Sequence, residues 1–110
     1  MSLEIAKIAK AAAESKQASN IVVLDARGKS DICDYQLICS AESSRQTVAI
    51  AEAIETTLKQ KHFDLVAIEG KPAGHWIAMD YGSTIIHIFV QSLRNFYAIE
   101  DLWPKMAGEI

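Results

Sequence analysis

Two apolar strand patterns lie almost end to end in the second half of this chain, and that spacing constrains the fold most. Residues 76–81 (Trp-Ile-Ala-Met-Asp-Tyr) and 84–91 (Thr-Ile-Ile-His-Ile-Phe-Val-Gln) are separated only by Gly82-Ser83. A two-residue link cannot carry a crossover, so the two strands must pair antiparallel as a hairpin. Just upstream, Gly70-Lys71-Pro72-Ala73-Gly74 is the strongest turn signal in the chain. Residues 64–69, containing Leu-Val-Ala-Ile, read as a strand before that turn. These three strands are expected to form an antiparallel meander.

The first half supplies the rest of the pattern. Residues 3–18 read as a helix with Leu3, Ile5, Ile8, Ala9 and Ala12 on one face, ended by Ser19-Asn20. Residues 21–25 (Ile-Val-Val-Leu-Asp) and 35–39 (Tyr-Gln-Leu-Ile-Cys) read as strands around a polar loop. Ser43-Ser44-Arg45-Gln46 has the form of a capping box, with the Ser43 hydroxyl on the amide three residues on and Gln46 reaching back. The helix that follows runs to about residue 61 and buries Ala51, Ile54 and Leu58, with Ile50 beside them. Residues 93–103 form a last helical pattern, stopped by Pro104. The order is α-β-β-α-β-β-β-α. The strand–helix–strand unit over residues 35–69 is expected to be a right-handed parallel crossover. The fold class is therefore mixed α/β, a five-stranded mixed sheet with helices packed on it.

Length and composition narrow the functions available. A chain of 110 residues fits one domain, spanning 1–110. With 50% hydrophobic and 23% charged residues it can build its own core. No apolar run approaches the roughly 20 residues that span a bilayer. Glu4, Lys7 and Lys10 break any signal-peptide pattern, and Met1-Ser2-Leu3 is readable either as native sequence or as an expression leader. The formal net charge is -3, with basic residues scattered along the chain, which disfavours direct nucleic-acid binding and suits a basic protein partner. The only cysteines, Cys33 and Cys39, allow one disulfide, but the chain reads as a reduced, cytoplasmic protein with two free thiols.

Chemical motifs are weak. Gly28-Lys29-Ser30 resembles the end of a phosphate-binding loop, but Val23 stands where that motif needs a glycine. Gly82-Ser83 is compatible with a nucleotidyl transferase, yet no paired carboxylates follow to hold divalent metals. His62, His75 and His87 lack metal-ligand spacing. Asp31 and Asp34 near Cys33 raise rather than lower a thiol pKa. No cofactor is expected. What remains is residues 74–82. Strand alternation puts Trp76, Ala78 and Asp80 on one sheet face and Ile77, Met79 and Tyr81 on the other. The first face can present an aromatic anchor with a carboxylate, and a neighbouring strand can bring His87 close. Alternatively, Trp76 is a core residue and Asp80 caps the turn.

Four separated pieces in order resemble the Iojap-like ribosomal silencing factors over about residues 3–103. They are Ile21-Val22-Val23-Leu24-Asp25 with Asp34-Tyr35; Ser44-Arg45-Gln46 leading into Ala49-Ile50-Ala51; Trp76 with Asp80-Tyr81-Gly82 and His87-Ile88-Phe89; and Arg94, Phe96-Tyr97 and Leu102-Trp103. The chain departs from the pattern in details of the contact surface. His75 stands for an acidic residue, Ala78 for a larger aliphatic one, Ser83 for an aspartate, and Ser40-Ala41 for a small residue and glycine. The resemblance implies a non-enzymatic translation repressor with a nucleotidyltransferase-like fold. It implies binding to the fourteenth protein of the large ribosomal subunit and a block on subunit joining. On that reading Trp76, Asp80, Tyr81 and, less centrally, His87 meet the partner, in a bacterial cytoplasm. The alternative is a nucleotide-handling, transferase-like enzyme. Two copies could also pair through a sheet edge or apolar face as a homodimer.

Overall fold

The computed structural model describes residues 2–27 and 33–93. Its elements are α1 (Ser2–Ser15), β1 (Ser19–Asp25), β2 (Tyr35–Ala41), α2 (Ser44–Gln60), β3 (Ala67–Glu69), β4 (Trp76–Asp80) and β5 (Thr84–Val90). The chain is helical again at 91–93. The rest of the helix expected at 93–103 lies outside the described residues, as does the loop over 28–32.

The five strands form one mixed sheet in the order β1-β2-β5-β4-β3. The hairpin and meander are as expected, with β4 antiparallel to both β5 and β3. The crossover from β2 to β3 is parallel in direction, as expected, but it skips two strands. Strands β5 and β4 lie between them, and the parallel neighbour of β2 is β5. Burial explains this. Every residue of β2 is buried and β5 is buried on both faces, so both belong in the middle. By contrast, β3 is half-exposed and only three residues long, not the six expected, and takes an edge.

Both described helices pack on the same sheet face. The α1 stripe Ile5, Ala6, Ala9, Ala12 and Ala13 and the α2 stripe Ile50, Ala51, Ile54 and Leu58 meet Leu37, Cys39, Ile77, Met79, Ile86 and Ile88. The four buried alanines of α1 let its backbone lie close to the sheet. A second, smaller cluster of Leu24, Ile38 and Phe89 sits on the other face, with Val22 and Trp76 against it.

The ends of the helices are set by local chemistry. The Ser43 hydroxyl accepts the Gln46 amide at 3.2 Å, as a capping box requires. Gln46 does reach back, but to the amide of Glu42 at 2.9 Å, and its own NH2 donates to the Lys16 and Gln17 carbonyls. That side chain therefore ties the start of α2 to the end of α1. Helix α1 stops three residues early because Gln17 turns left-handed (φ 63) and the Ala18 amide returns to the Ala13 carbonyl. Helix α2 ends the same way, with His62 at φ 69 and the Phe63 amide on the Leu58 carbonyl. Both are Schellman ends, with a side-chain residue where glycine is commonest.

The turn before β4 fixes where that strand begins. The Gly74 amide donates to the Gly70 carbonyl at 2.8 Å. Both glycines have positive φ, and a β-carbon on Gly70 would run into the Trp76 carbonyl oxygen. One on Gly74 would stand 2.8 Å from the Ser44 carbonyl oxygen. The buried Thr47 hydroxyl also bonds the Gly74 carbonyl, which locks this turn to the first turn of α2. Gly70→Ala is therefore expected to cost at least about 2 kcal/mol, read as a lower urea midpoint. His62→Gly should do the opposite, stabilising by about 1 kcal/mol and raising the midpoint with an unchanged m-value.

Candidate protein-binding face

Strand alternation along β4 holds in the structure: Ile77 and Met79 are buried under the helices, while Trp76, Ala78 and Asp80 are half-buried on the other face. The register of the three adjoining strands then assembles a site. His87 stands opposite Ile38 of β2 on one side and Ala78 of β4 on the other. From that central position it reaches diagonally to both neighbours, a separation that long side chains bridge. The Trp76 indole Nε1–H donates to His87 Nδ1 at 3.0 Å. His87 Nε2 lies 2.9 Å from Gln36 Oε1. Trp76 also stacks on Phe89, with ring centroids 5.2 Å apart.

This chain of bonds fixes the imidazole's protonation. An indole nitrogen can only donate, so Nδ1 must be the acceptor and Nε2 carries the hydrogen that Gln36 accepts. His87 is only 8% exposed, and burial lowers its pKa to about 4. It is therefore a neutral spacer between a tryptophan and a glutamine, not a charged group. Protonation would put a second hydrogen against the indole N–H and break the chain.

Asp80 has a structural role beside any contact it makes: its Oδ1 accepts the Gly82 amide at 2.7 Å and so caps the hairpin turn. Gly82 itself has φ 83, which glycine adopts without strain. Tyr81 parts company with the other candidates. It lies on the helix-covered face, 7% exposed, and its hydroxyl has no hydrogen-bond partner among the described residues. Burial and then the nearby Glu55 carboxylate push that hydroxyl up to about 12. The structure thus puts Trp76, Asp80 and His87 on one face, with His87 bonded to Trp76 and lining a hollow with Asp80, and sets Tyr81 behind the sheet.

The face they share is divided. Toward β1 and β2 it is closed, with Leu24, Ile38, Ser40 and Phe89 buried. Toward β3 and β4 it is open, and Ala67 and Glu69 are exposed beside Ala78 and Asp80. Sequence reasoning missed two members. Gln36 had a signal, a polar residue inside an apolar strand run. Glu69 had none, because its place depends on the register of an edge strand. Among the described residues no three His, Cys, Asp or Glu side chains come together as a metal-holding group, and no helix is long and apolar enough to cross a membrane.

The full length, residues 1–110, matches the family described as "Ribosomal silencing factor during starvation". The chain belongs to this family. It is 41% identical to the ribosomal silencing factor of Haemophilus influenzae over 85 residues, which covers 77% of this chain and 83% of that one. It is 36% identical to that of Bacillus subtilis over 99 residues, covering 90% and 84% respectively. A crystal structure of a Chromobacterium violaceum protein superposes with a TM-score of 0.91 at 29% identity, covering 99% of this chain and 94% of that one. The most specific silencing-factor motif, Trp76 with Asp80-Tyr81-Gly82 and His87-Ile88-Phe89, falls on β4, the hairpin turn and β5. Arg94, Phe96-Tyr97 and Leu102-Trp103 lie outside the described residues.

The sign of the pH effect follows from the lowered His87 pKa. Between pH 6.5 and about 4 the unfolded chain holds a proton on this residue that the folded chain refuses. Stability from this group is complete above pH 6.5 and is lost as pH falls through that window, by up to about 3 kcal/mol. A His87→Gln variant can accept from Trp76 and donate to Gln36 without titrating. Urea midpoints measured from pH 7.5 to 4.5 should fall less steeply for it than for the wild type.

Proposed function

We propose that this silencing factor acts by binding, not catalysis. It grips the large ribosomal subunit at its fourteenth protein and blocks the joining of the small subunit, repressing translation in a bacterial cytoplasm. The observation that carries this reading is the open end of the β3–β4–β5 face, where a half-buried tryptophan, held by His87 and Phe89, shares its face with the Asp80 carboxylate at the other end of β4. An aromatic side chain whose rotamer is already fixed loses little entropy on association, so its contact area converts more fully into affinity. The net charge of -3 favours a basic partner surface and faster encounter with it. A specific complex needs only about 800 Å² from each partner, within reach of one face of a domain this size. Once bound on the intersubunit side, the domain excludes the other subunit by occupying space.

Within this reading Trp76 is the anchor, Asp80 meets a basic group and His87 positions the indole from beneath. Tyr81 contributes by holding the hairpin rather than by touching the partner. The pure chain is expected to co-sediment with large subunits and to reduce their association with small ones. Asp80→Arg should abolish co-sedimentation while the protein still melts cooperatively. Trp76→Ala should also lose binding, but it removes the Phe89 stack and costs about 3 kcal/mol, so it is read alongside its melting curve. Wild-type binding by both folded variants would sink the assignment of the face. Addition of nucleotides with magnesium should leave the melting temperature unchanged; a clear rise would favour the transferase-like alternative.

A further inference from the structure

The open end of the sheet carries a shaped feature that Trp76 and Asp80 alone do not define. Ala67, Glu69, Ala78, Asp80, Ile85 and His87 line a hollow of about 280 Å³. Its floor is apolar and low because Ala67 and Ala78 end at their β-carbons. Register places Glu69 opposite Ala78 and Ala67 opposite Asp80, so the two carboxylates stand diagonally across that floor, roughly 7 Å apart at Cβ. Asp80 gives one oxygen to the Gly82 amide. Its other oxygen and the Glu69 carboxylate have no hydrogen bond or ion pair among the described residues. His87 is neutral and both of its nitrogens are engaged, so it offers no cation to either acid. Lys71 is drawn to Glu52 and Arg27 to Asp25, both outside the hollow.

We propose that this hollow is a socket for one arginine side chain of the protein partner, with Glu69 and Ala78 as the residues that set its specificity. The proposal rests on the partner-binding reading above. The arginine stem lies over Ala67, Ala78 and Ile85, and its guanidinium bridges Glu69 and Asp80. Charge complementarity selects a cation, and the geometry selects arginine. Two carboxylates on opposite sides of an apolar floor suit a planar fork with several donors, which is also less strongly hydrated than an ammonium. Trp76 lies next along the same face of β4, outside the hollow's lining, with its indole turned toward His87 and Phe89. Ala78 keeps the socket open, since a larger aliphatic side chain there would fill it.

Two measurements test the socket, one with ribosomes and one without. Purified large subunits are titrated with the full chain and with Glu69→Gln, Glu69→Lys and Ala78→Leu. Binding is expected to weaken about fivefold, about fiftyfold and about tenfold, with melting temperatures nearly unchanged. Separately, N-acetyl-arginine amide at millimolar concentration should shift the backbone amide NMR signals of Ala67, Ala78 and Ile85. N-acetyl-lysine amide should shift them less, and Glu69→Gln should remove the response. If the wild type binds large subunits and all three variants bind equally well, the socket is wrong and ribosome binding stands. If subunits do not bind but the arginine amide gives Glu69-dependent shifts, the ribosome reading fails and the socket stands. Equal shifts from both amides would overturn the choice of arginine, and no binding in either experiment would overturn the socket altogether.

Discussion

The parallel pairing of β2 with β5 at the centre of the sheet is the constraint on which the rest depends. These two strands are buried on both faces, and each brings a neighbour of its own: β1 on one flank, the β4–β3 meander on the other. Because β5 separates β2 from β4, His87 has Gln36 on one side and Trp76 on the other. If β3 had paired directly with β2, as chain order suggests, Gln36 and Trp76 would lie too far apart for one imidazole to connect them. The candidate binding face is thus a consequence of strand order before it is a consequence of any single side chain.

That face has a built-in division of labour. Its β1–β2 half is core, where Leu24, Ile38 and Phe89 pack together. Its β3–β4 half is open and acidic. Trp76 stands on the boundary, stacked on the buried Phe89 yet still half-exposed. Both readings of Trp76 from sequence, core residue and surface anchor, are therefore partly right. The same holds for Asp80, whose one oxygen closes the hairpin while the other is left to the surface. A neutral, buried histidine suits this arrangement because it can accept and donate at once without adding a charge that would compete for the acids.

Much of the fold was legible. Apolar periodicity found every described element, and the two-residue gap at Gly82-Ser83 fixed the hairpin. What the pattern left open or missed shares one cause. The extent of β3, the neighbour of β2 and the target of Gln46 all depend on contacts between segments distant in the chain, on which local pattern is silent. The left-handed residues Gln17 and His62 were also hidden, since neither is a residue type that signals a helix end. At the site, Trp76, Asp80 and His87 were legible as a set because their spacing and resemblance to the silencing factors agree. Tyr81 belonged to the same motif but not to the same face, as alternation already implied.

The sequence by itself determined which residues share a face, because side-chain direction in a strand alternates with period two and needs no knowledge of neighbours. It determined the hairpin, because two residues of linker leave no other geometry. Only the tertiary structure decided which strands lie side by side, and so which side chains meet: Gln36 with His87 with Trp76, and Glu69 across from Asp80 over a floor of small residues. Those meetings come from burial of β2 and β5 on both faces, a property of the assembled sheet that no short window of sequence contains.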